Sequence, residues 1–167
     1  MAFEIRLATA DDEAGLAELD LATWSSLSSP APKPSPDAGW TFFDERTKPE
    51  QIHVAVSDQK IVGYVKLSRE IDLPSTQHVR SIHGLAVYAH FRGFGIAKAL
   101  MRVAEAQARA EGATKLTLRV LGHNEPARGL YESLGYETEG VLRDLFKLDD
   151  SYIDDIVMAL DLTAAVS

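Results

Sequence analysis

A glycine-containing turn within residues 90–100 (HFRGFGIAKAL) is the first place where residue type and spacing indicate chemistry. Gly93 and Gly95 stand immediately before an apolar, alanine-rich run with the character of a helix. The N-terminus of a helix presents unpaired N–H donors and the positive end of its dipole, a combination that binds phosphate. Glycine removes the side chain that would hold a phosphate away. The spacing fits a phosphate-binding turn, and it fits a simple tight turn as well.

Two familiar phosphate loops are excluded by the residues around these glycines. No Gly-Lys-Ser/Thr sequence follows, so the segment is not a P-loop. The third glycine of the dinucleotide fingerprint is missing, and no acidic residue ends a following parallel strand at the expected place. The choice between anion site and tight turn therefore depends on the rest of the chain.

Further along the chain, the segment NEPARGLYESLGY (124–136) combines a helix start with a phenol. Asn124 is a suitable N-cap, and Pro126 fits the first helical turn. Tyr131 lies on the apolar face of this predicted helix, where a buried structural tyrosine would also lie. A phenol with an ordinary pKa of about 10 can donate a proton or a strong hydrogen bond to a group that becomes negatively charged during a reaction. Both interpretations of Tyr131 fit the spacing.

Hydrophobic periodicity predicts the elements that position these groups. Strands are expected at 3–9, 52–56, 61–67, 79–88 and 115–120, and in the segments YETEGVLRDLFKL and YIDDIVMALDL that finish the chain. Helices are expected after Thr9, from Gly95 to Glu111 and after Asn124. The solvent face of the second helix is expected to carry Lys98, Arg102, Glu105 and Arg109. This order predicts an α/β (α+β) fold with a mixed sheet covered by helices, in a single domain over residues 1–167.

Composition limits the class of protein. A chain of 167 residues suits one domain with a sizeable core. The net charge of −8 argues against a nucleic-acid partner, which selects for a basic face. The absence of cysteine excludes disulfides, thiolate metal ligands and a cysteine nucleophile. Without a signal-peptide pattern or an apolar run of about 20 residues, we expect a cytoplasmic protein with no membrane partner.

Two signatures, taken together, resemble those of one enzyme family. Arg92, Gly95 and Ala97 match the pattern R-x-x-G-x-G/A. The second segment matches N-x-x-A-x-x-L-Y-x-x-x-G-F at Asn124, Ala127, Leu130, Tyr131 and Gly135, with Tyr136 where phenylalanine is commoner. The pair resembles the GNAT superfamily, the acyl-CoA-dependent N-acetyltransferases, over about residues 3–161, with the specific part at 85–136. The resemblance implies a mostly antiparallel, twisted sheet of about seven strands flanked by helices.

The resemblance also assigns roles to particular residues. It implies acetyl-CoA as co-substrate and no metal, with the pantetheine arm along the strand at Leu85 to Val87. The pyrophosphate would be bound by backbone N–H groups of Arg92, Gly93, Phe94, Gly95, Ile96 and Ala97. Asn124 would lie near the pantetheine, and Tyr131 would face the sulfur.

The general base is the least defined part of the expected chemistry. With no cysteine to form an acyl-enzyme, direct transfer to an amine is the simplest route. The attacking amine must be neutral, and an alkylammonium has a pKa of about 10, so a base or a water chain must take its proton. His83 lies two residues before Leu85, on the same face of the strand. Glu137, Glu139 and ordered water compete with His83, as does a reaction with no side chain acting as direct base.

A proline-rich loop and an acidic segment can each be interpreted in two ways, one structural and one functional. Four prolines at positions 30, 32, 34 and 36 form an extended loop, flanked by Trp24, Trp40, Phe42 and Phe43. These aromatic side chains either pack the loop onto the core or line the acceptor pocket. The acidic segment DDSYIDD (149–155) is expected to be a solvated turn; in the functional alternative, Asp154 or Asp155 holds a cationic amine.

These observations predict an N-acetyltransferase that moves an acetyl group from acetyl-CoA directly to a primary amine of a small molecule, such as an amino acid or a polyamine. A protein N-terminal or lysine acetyltransferase and a non-catalytic CoA-binding domain are the alternatives. A homodimer is expected by analogy alone.

The other histidines do not indicate a metal site. They show no metal-ligand spacing and are expected on the surface or in loops: His53, His78, His90 and His123.

Overall fold

The structure, a computed structural model, describes residues 1–164, so the last three residues of the predicted domain lie outside the described part. The helices are α1 (Glu13–Thr23), α2 (Ile96–Ala110) and α3 (Glu125–Ser133). The strands are β1 (Glu4–Leu7), β2 (Ile52–Ser57), β3 (Lys60–Ser68), β4 (Val79–Val87), β5 (Lys115–Leu121), β6 (Glu137–Leu148) and β7 (Ser151–Asp161). The predicted order of strands and helices is confirmed. Within residues 1–164, no helix is both long enough and apolar enough to cross a bilayer.

The strands form one mixed sheet, as predicted. It has seven strands in the order β1-β2-β3-β4-β5-β7-β6. Antiparallel ladders join β1 to β2, β2 to β3, β5 to β7 and β6 to β7, whereas β4 and β5 are parallel. Chain order explains this pattern, because a helix separates β4 from β5 while short turns close the hairpins β2–β3 and β6–β7.

The chain divides into two compact units. Unit 1 contains Met1–Trp24, Lys33–Leu67 and His83–Ala104. Unit 2 contains Ser25–Pro32, Ser68–Ile82 and the described residues from Glu105 onward. Strand β4 and helix α2 each contribute residues to both units.

The core of unit 1 lies between α1 and strands β2 and β3. Leu16 and Leu19 of α1 are fully buried in a cluster with Ile52, Val54, Phe42 and Tyr64. The Glu13 carboxylate accepts hydrogen bonds from the backbone N–H groups of Phe42 (2.7 Å) and Phe43 (2.8 Å). The end of the proline-rich segment is therefore fixed to α1, and Phe42 is a core residue. This supports the packing interpretation of that aromatic side chain.

Two sequence expectations are wrong for buried polar residues. Glu105, expected on the solvent face of α2, is 1% exposed and accepts a hydrogen bond from the Tyr136 hydroxyl group at 3.4 Å. The segment that leads into β6 covers this side of the helix, so the alternation of charges along α2 does not mark its exposed face. His53, expected on the surface or in a loop, is buried within β2, because both faces of that strand are covered.

Candidate active site

The glycine turn in unit 1 has a backbone that glycine accommodates best. Gly93 and Gly95 have φ values of 85° and 81°, which L-residues rarely adopt. A β-carbon built on either residue would meet no atom within 4 Å, so the space beside both residues is open. Ile96, the first residue of α2, is 1% exposed and anchors the start of the helix. The turn combines a fixed backbone with open space in front of it.

Backbone N–H groups collect at this turn. Within the described part of the chain, no residue accepts a hydrogen bond from the N–H groups of Gly93 through Ala97; the first bond that belongs to α2 runs from Ala99 N to Gly95 O, at 3.0 Å. These N–H groups stand at the positive end of a helix of 15 residues. Such an arrangement binds an anion with several oxygens.

The Arg92 side chain has a partner within the protein. Its Nε atom donates a hydrogen bond to the carbonyl oxygen of Val87, at 3.2 Å. This bond connects the turn to the end of β4. Phe94, also among the predicted cofactor-binding residues, has a side chain that is 55% exposed.

Strand β4 is longer than the ladder that joins it to β5. The parallel ladder joins Val79–Ile82 to Lys115–Leu118 and stops there, although β4 runs on to Val87. His83 is exposed, Leu85 is half-buried and Val87 is 7% exposed. The predicted pantetheine-binding residues thus lie on the part of β4 that the β4–β5 ladder does not use.

Helix α3 in unit 2 carries the other predicted site residues. The side-chain oxygen of Asn124 accepts a hydrogen bond from Ala127 N at 3.3 Å, so the predicted N-cap is confirmed. Tyr131 is 8% exposed and makes an edge contact with Tyr136, with ring centroids 6.0 Å apart. Burial raises the pKa of Tyr131 to about 12. The phenol therefore keeps its proton at neutral pH and is available as a hydrogen-bond donor.

Several carboxylates that the sequence offered as functional candidates have structural partners. Asp155 is 3% exposed and accepts a hydrogen bond from Arg119 at 2.9 Å. Asp154 accepts one from the backbone N–H of Asp144, also at 2.9 Å. Glu139 forms an ion pair with Lys115. No set of His, Cys, Asp or Glu side chains arranged to hold a metal ion occurs among residues 1–164.

The family is decided by a match over most of the chain. The model of the acetyltransferase (GNAT) family matches residues 15–136, which include the glycine turn, Asn124 and Tyr131. The chain belongs to the acetyltransferase (GNAT) family.

Individual relatives agree with this membership of the GNAT family. An uncharacterized N-acetyltransferase of Bacillus subtilis (strain 168), YycN, is 33% identical over 87 residues, and the match spans 52% of this chain and about half, 54%, of that relative. The crystal structure of smu.2055 from Streptococcus mutans UA159 is 30% identical, covers 97% of this chain and 99% of its own, and superposes with a TM-score of 0.83. The structure of yncA from Salmonella typhimurium, with its cofactor acetyl-CoA, shares the fold at 16% identity, with a TM-score of 0.80 over 100% of this chain and 98% of its own.

One polar pair in unit 1 was not among the predicted site residues. The Tyr64 hydroxyl group donates a hydrogen bond of 2.8 Å to Asp20 Oδ1, from β3 to α1. Sequence spacing gives no link between residues so far apart. The sequence contained one signal that Asp20 faces the core. Asp20 stands four residues after the buried Leu16 and so lies toward the apolar face of α1.

Proposed function

We propose that this GNAT family member is a single-domain N-acetyltransferase that transfers the acetyl group of acetyl-CoA to the primary amine of a small molecule. The observation that carries the proposal is the row of N–H groups from Gly93 to Ala97 at the start of α2, which have no acceptor among residues 1–164. Family membership gives the reaction class, and the turn supplies the site for the anionic part of the co-substrate.

The residues at the turn fit a pyrophosphate. Its charge matches the positive end of α2, and its oxygens match a row of N–H donors. The open space beside Gly93 and Gly95 admits the phosphate groups without a clash. Backbone groups of Leu85 and Val87, outside the β4–β5 ladder, would pair with the amides of the pantetheine arm as an added strand does. Bound acetyl-CoA would supply the acetyl group as a thioester, activated for attack by an amine.

In this proposal Tyr131 acts on the leaving sulfur. Its pKa of about 12 lies well above that of a thiol, so the phenol donates a hydrogen bond to the thiolate more readily than it gives up a proton completely. A backbone N–H near Val87 would stabilise the negative charge that develops on the acetyl oxygen. Asn124 serves twice, as the cap of α3 and as a neighbour of the pantetheine. His83, exposed on β4, stays a candidate base.

The choice of a small-molecule acceptor rests on the segment around Phe42. Glu13 holds this segment on α1 through two backbone hydrogen bonds, which favours a closed wall over an open groove. An acceptor on a protein N-terminus or a lysine side chain would need the open groove. The third alternative, a CoA-binding domain without catalysis, is disfavoured by the retention of both Asn124 and Tyr131.

The test is release of CoA from acetyl-CoA, followed with a thiol reagent across amino acids, polyamines, simple amines and N-terminal peptides. We expect turnover with small primary amines. Turnover restricted to peptides would replace the proposed acceptor class. Tight acetyl-CoA binding with no turnover on any acceptor would favour the non-catalytic alternative.

A further inference from the structure

A half-buried carboxylate in unit 1, that of Asp20, has a phenol and not a cation as its described side-chain partner. Asp20 lies on α1, and its Oδ1 atom accepts the 2.8 Å hydrogen bond from Tyr64. Among residues 1–164, no lysine or arginine pairs with this carboxylate. A carboxylate that loses water contacts without gaining a cation is costly unless a ligand supplies the charge.

Tyr64 brings this carboxylate to the backbone of β4. The tyrosine is 8% exposed, and its ring meets Phe42 edge-on with centroids 5.1 Å apart. A β-carbon added to Gly84 would lie 3.1 Å from Tyr64 Cε2 and 3.2 Å from its hydroxyl oxygen. Glycine at position 84 therefore makes room for the tyrosine. The hydroxyl group therefore lies against β4 at Gly84, one residue before Leu85, where the proposed function places the pantetheine arm.

The charged side chains that the structure describes near Asp20 do not pair with it. Burial raises the pKa of Asp20, and the hydrogen bond from Tyr64 offsets part of that rise. Burial also raises the pKa of Tyr64 well above its ordinary value, so the phenol remains the donor. Lys66, two residues along β3, donates instead to Thr47 Oγ1 at 2.8 Å. Burial lowers the pKa of Lys66, and the charge of Asp44 offsets part of that fall. From β4, Gly84 lies against Tyr64 and adds no charge. Tyr88, which follows β4, packs on the same cluster, and burial together with the charge of Glu18 raises its pKa.

We infer that Asp20, positioned by Tyr64, binds the ammonium group of the acceptor and takes a proton from it. The inference rests on the proposed function and deepens it by naming a site for the amine. The chemical fit is direct, because a carboxylate beside a hydroxyl group offers charge and hydrogen-bond acceptors to an alkylammonium ion.

The proposed step moves one proton from the ammonium group to Asp20 and a second proton to the leaving sulfur. One N–H bond of the ammonium breaks, its electron pair stays on nitrogen, and the proton binds Asp20. The neutral nitrogen forms a C–N bond with the acetyl carbon while the C–S bond breaks and leaves its electron pair on sulfur. A second N–H proton passes from the new amide nitrogen to that sulfur, and Asp20 returns its proton to water. His83 is not needed as the base.

The matched variants are Asp20→Asn and Glu18→Gln. Asparagine keeps an oxygen that can accept the Tyr64 hydrogen bond and removes the charge. Glu18 is an exposed carboxylate two residues earlier on the same helix, and residues two apart on a helix point in different directions. Both variants are checked by thermal unfolding and by CoA affinity before amines are tested.

The first measurement is calorimetric binding of the amine panel to the CoA-bound protein. We expect Asp20→Asn to weaken amine binding by about tenfold or more, with CoA affinity unchanged, and Glu18→Gln to behave as the wild type. In turnover, kcat/KM for the amine should fall by about 10² to 10⁴ at neutral pH. The loss should shrink at about pH 10, because the free amine is then abundant in solution.

Tyr64→Phe provides a second variant if Asp20→Asn does not fold. Loss of the hydrogen bond raises the pKa of Asp20 further, so amine affinity should fall more at about pH 6 than at about pH 8. Equal amine affinity in the wild type and Asp20→Asn would overturn the inference. CoA binding without binding of any amine would overturn it as well. Failure to bind acetyl-CoA would contradict the proposed function instead.

Discussion

The Nε atom of Arg92 donates a hydrogen bond to the carbonyl oxygen of Val87, at 3.2 Å. This bond joins the last residue of β4 to the turn that precedes α2. In the proposed function, the guanidinium group serves the geometry of the turn, and the row of backbone N–H groups that follows binds the anion. The proposed anion site is built mainly from backbone, which explains why its most specific sequence signal is glycine.

Gly95→Ala tests the turn itself. An alanine at φ 81° should cost about 1 to 2 kcal/mol of stability, and its methyl group would enter the space proposed for the pyrophosphate. Gly39, in the same unit, has φ 82° and equally open surroundings, so Gly39→Ala imposes similar strain away from the turn. We expect both variants to lower the unfolding free energy and only Gly95→Ala to weaken acetyl-CoA binding, by about tenfold or more. Equal acetyl-CoA affinity in both variants would place the pyrophosphate elsewhere.

Tyr131→Phe tests the role of the phenol in turnover. Removing one hydrogen bond to the leaving sulfur should lower kcat by about 10² or more while the affinity for acetyl-CoA changes little. Tyr152→Phe is the control, since Tyr152 is 63% exposed. Unchanged kcat in Tyr131→Phe would leave this tyrosine with a packing role alone.

Tyr131 should also make stability depend on alkaline pH. Burial raises its pKa to about 12, so the folded state favours the protonated phenol. The stabilisation is fully present below the unfolded pKa of about 10 and is lost as pH rises through about 12. Over that interval the unfolding free energy should fall by up to about 3 kcal/mol more in the wild type than in Tyr131→Phe. Denaturant titrations at several pH values measure this difference, and parallel curves for the two proteins would contradict it.

Glu13→Ala tests the anchor of the proline-rich segment. The carboxylate accepts the N–H groups of Phe42 and Phe43, and hydrogen bonds to a charged group are worth about 1.5 to 3 kcal/mol each. We expect a clear loss of stability, measured by denaturant unfolding, and faster proteolysis within residues 25–41. Glu45→Ala, at an exposed position, should change neither. An unaltered digestion pattern in Glu13→Ala would show that other contacts fix the segment.

Local patterns predicted the elements well, because each strand and helix follows from alternation, caps and turn residues that are read along the chain. The N-cap Asn124 and the turn residue Gly95 are two of these local signals. The buried state of Glu105 was missed, because it depends on Tyr136, which the fold brings to the helix from a distant part of the sequence. The Asp20–Tyr64 pair escaped prediction for the same reason. Contacts between elements, unlike the elements themselves, leave no regular spacing.

The most direct test of the central claim is to follow an isotopically labelled acetyl group. The protein is incubated with acetyl-labelled acetyl-CoA and the amine that gives most CoA release, and the products are analysed by mass spectrometry. The proposed function predicts label in an amide of that amine, formed in proportion to the CoA released and lost in Gly95→Ala at limiting acetyl-CoA. Label that appears only as acetate, or that stays on CoA, would contradict it.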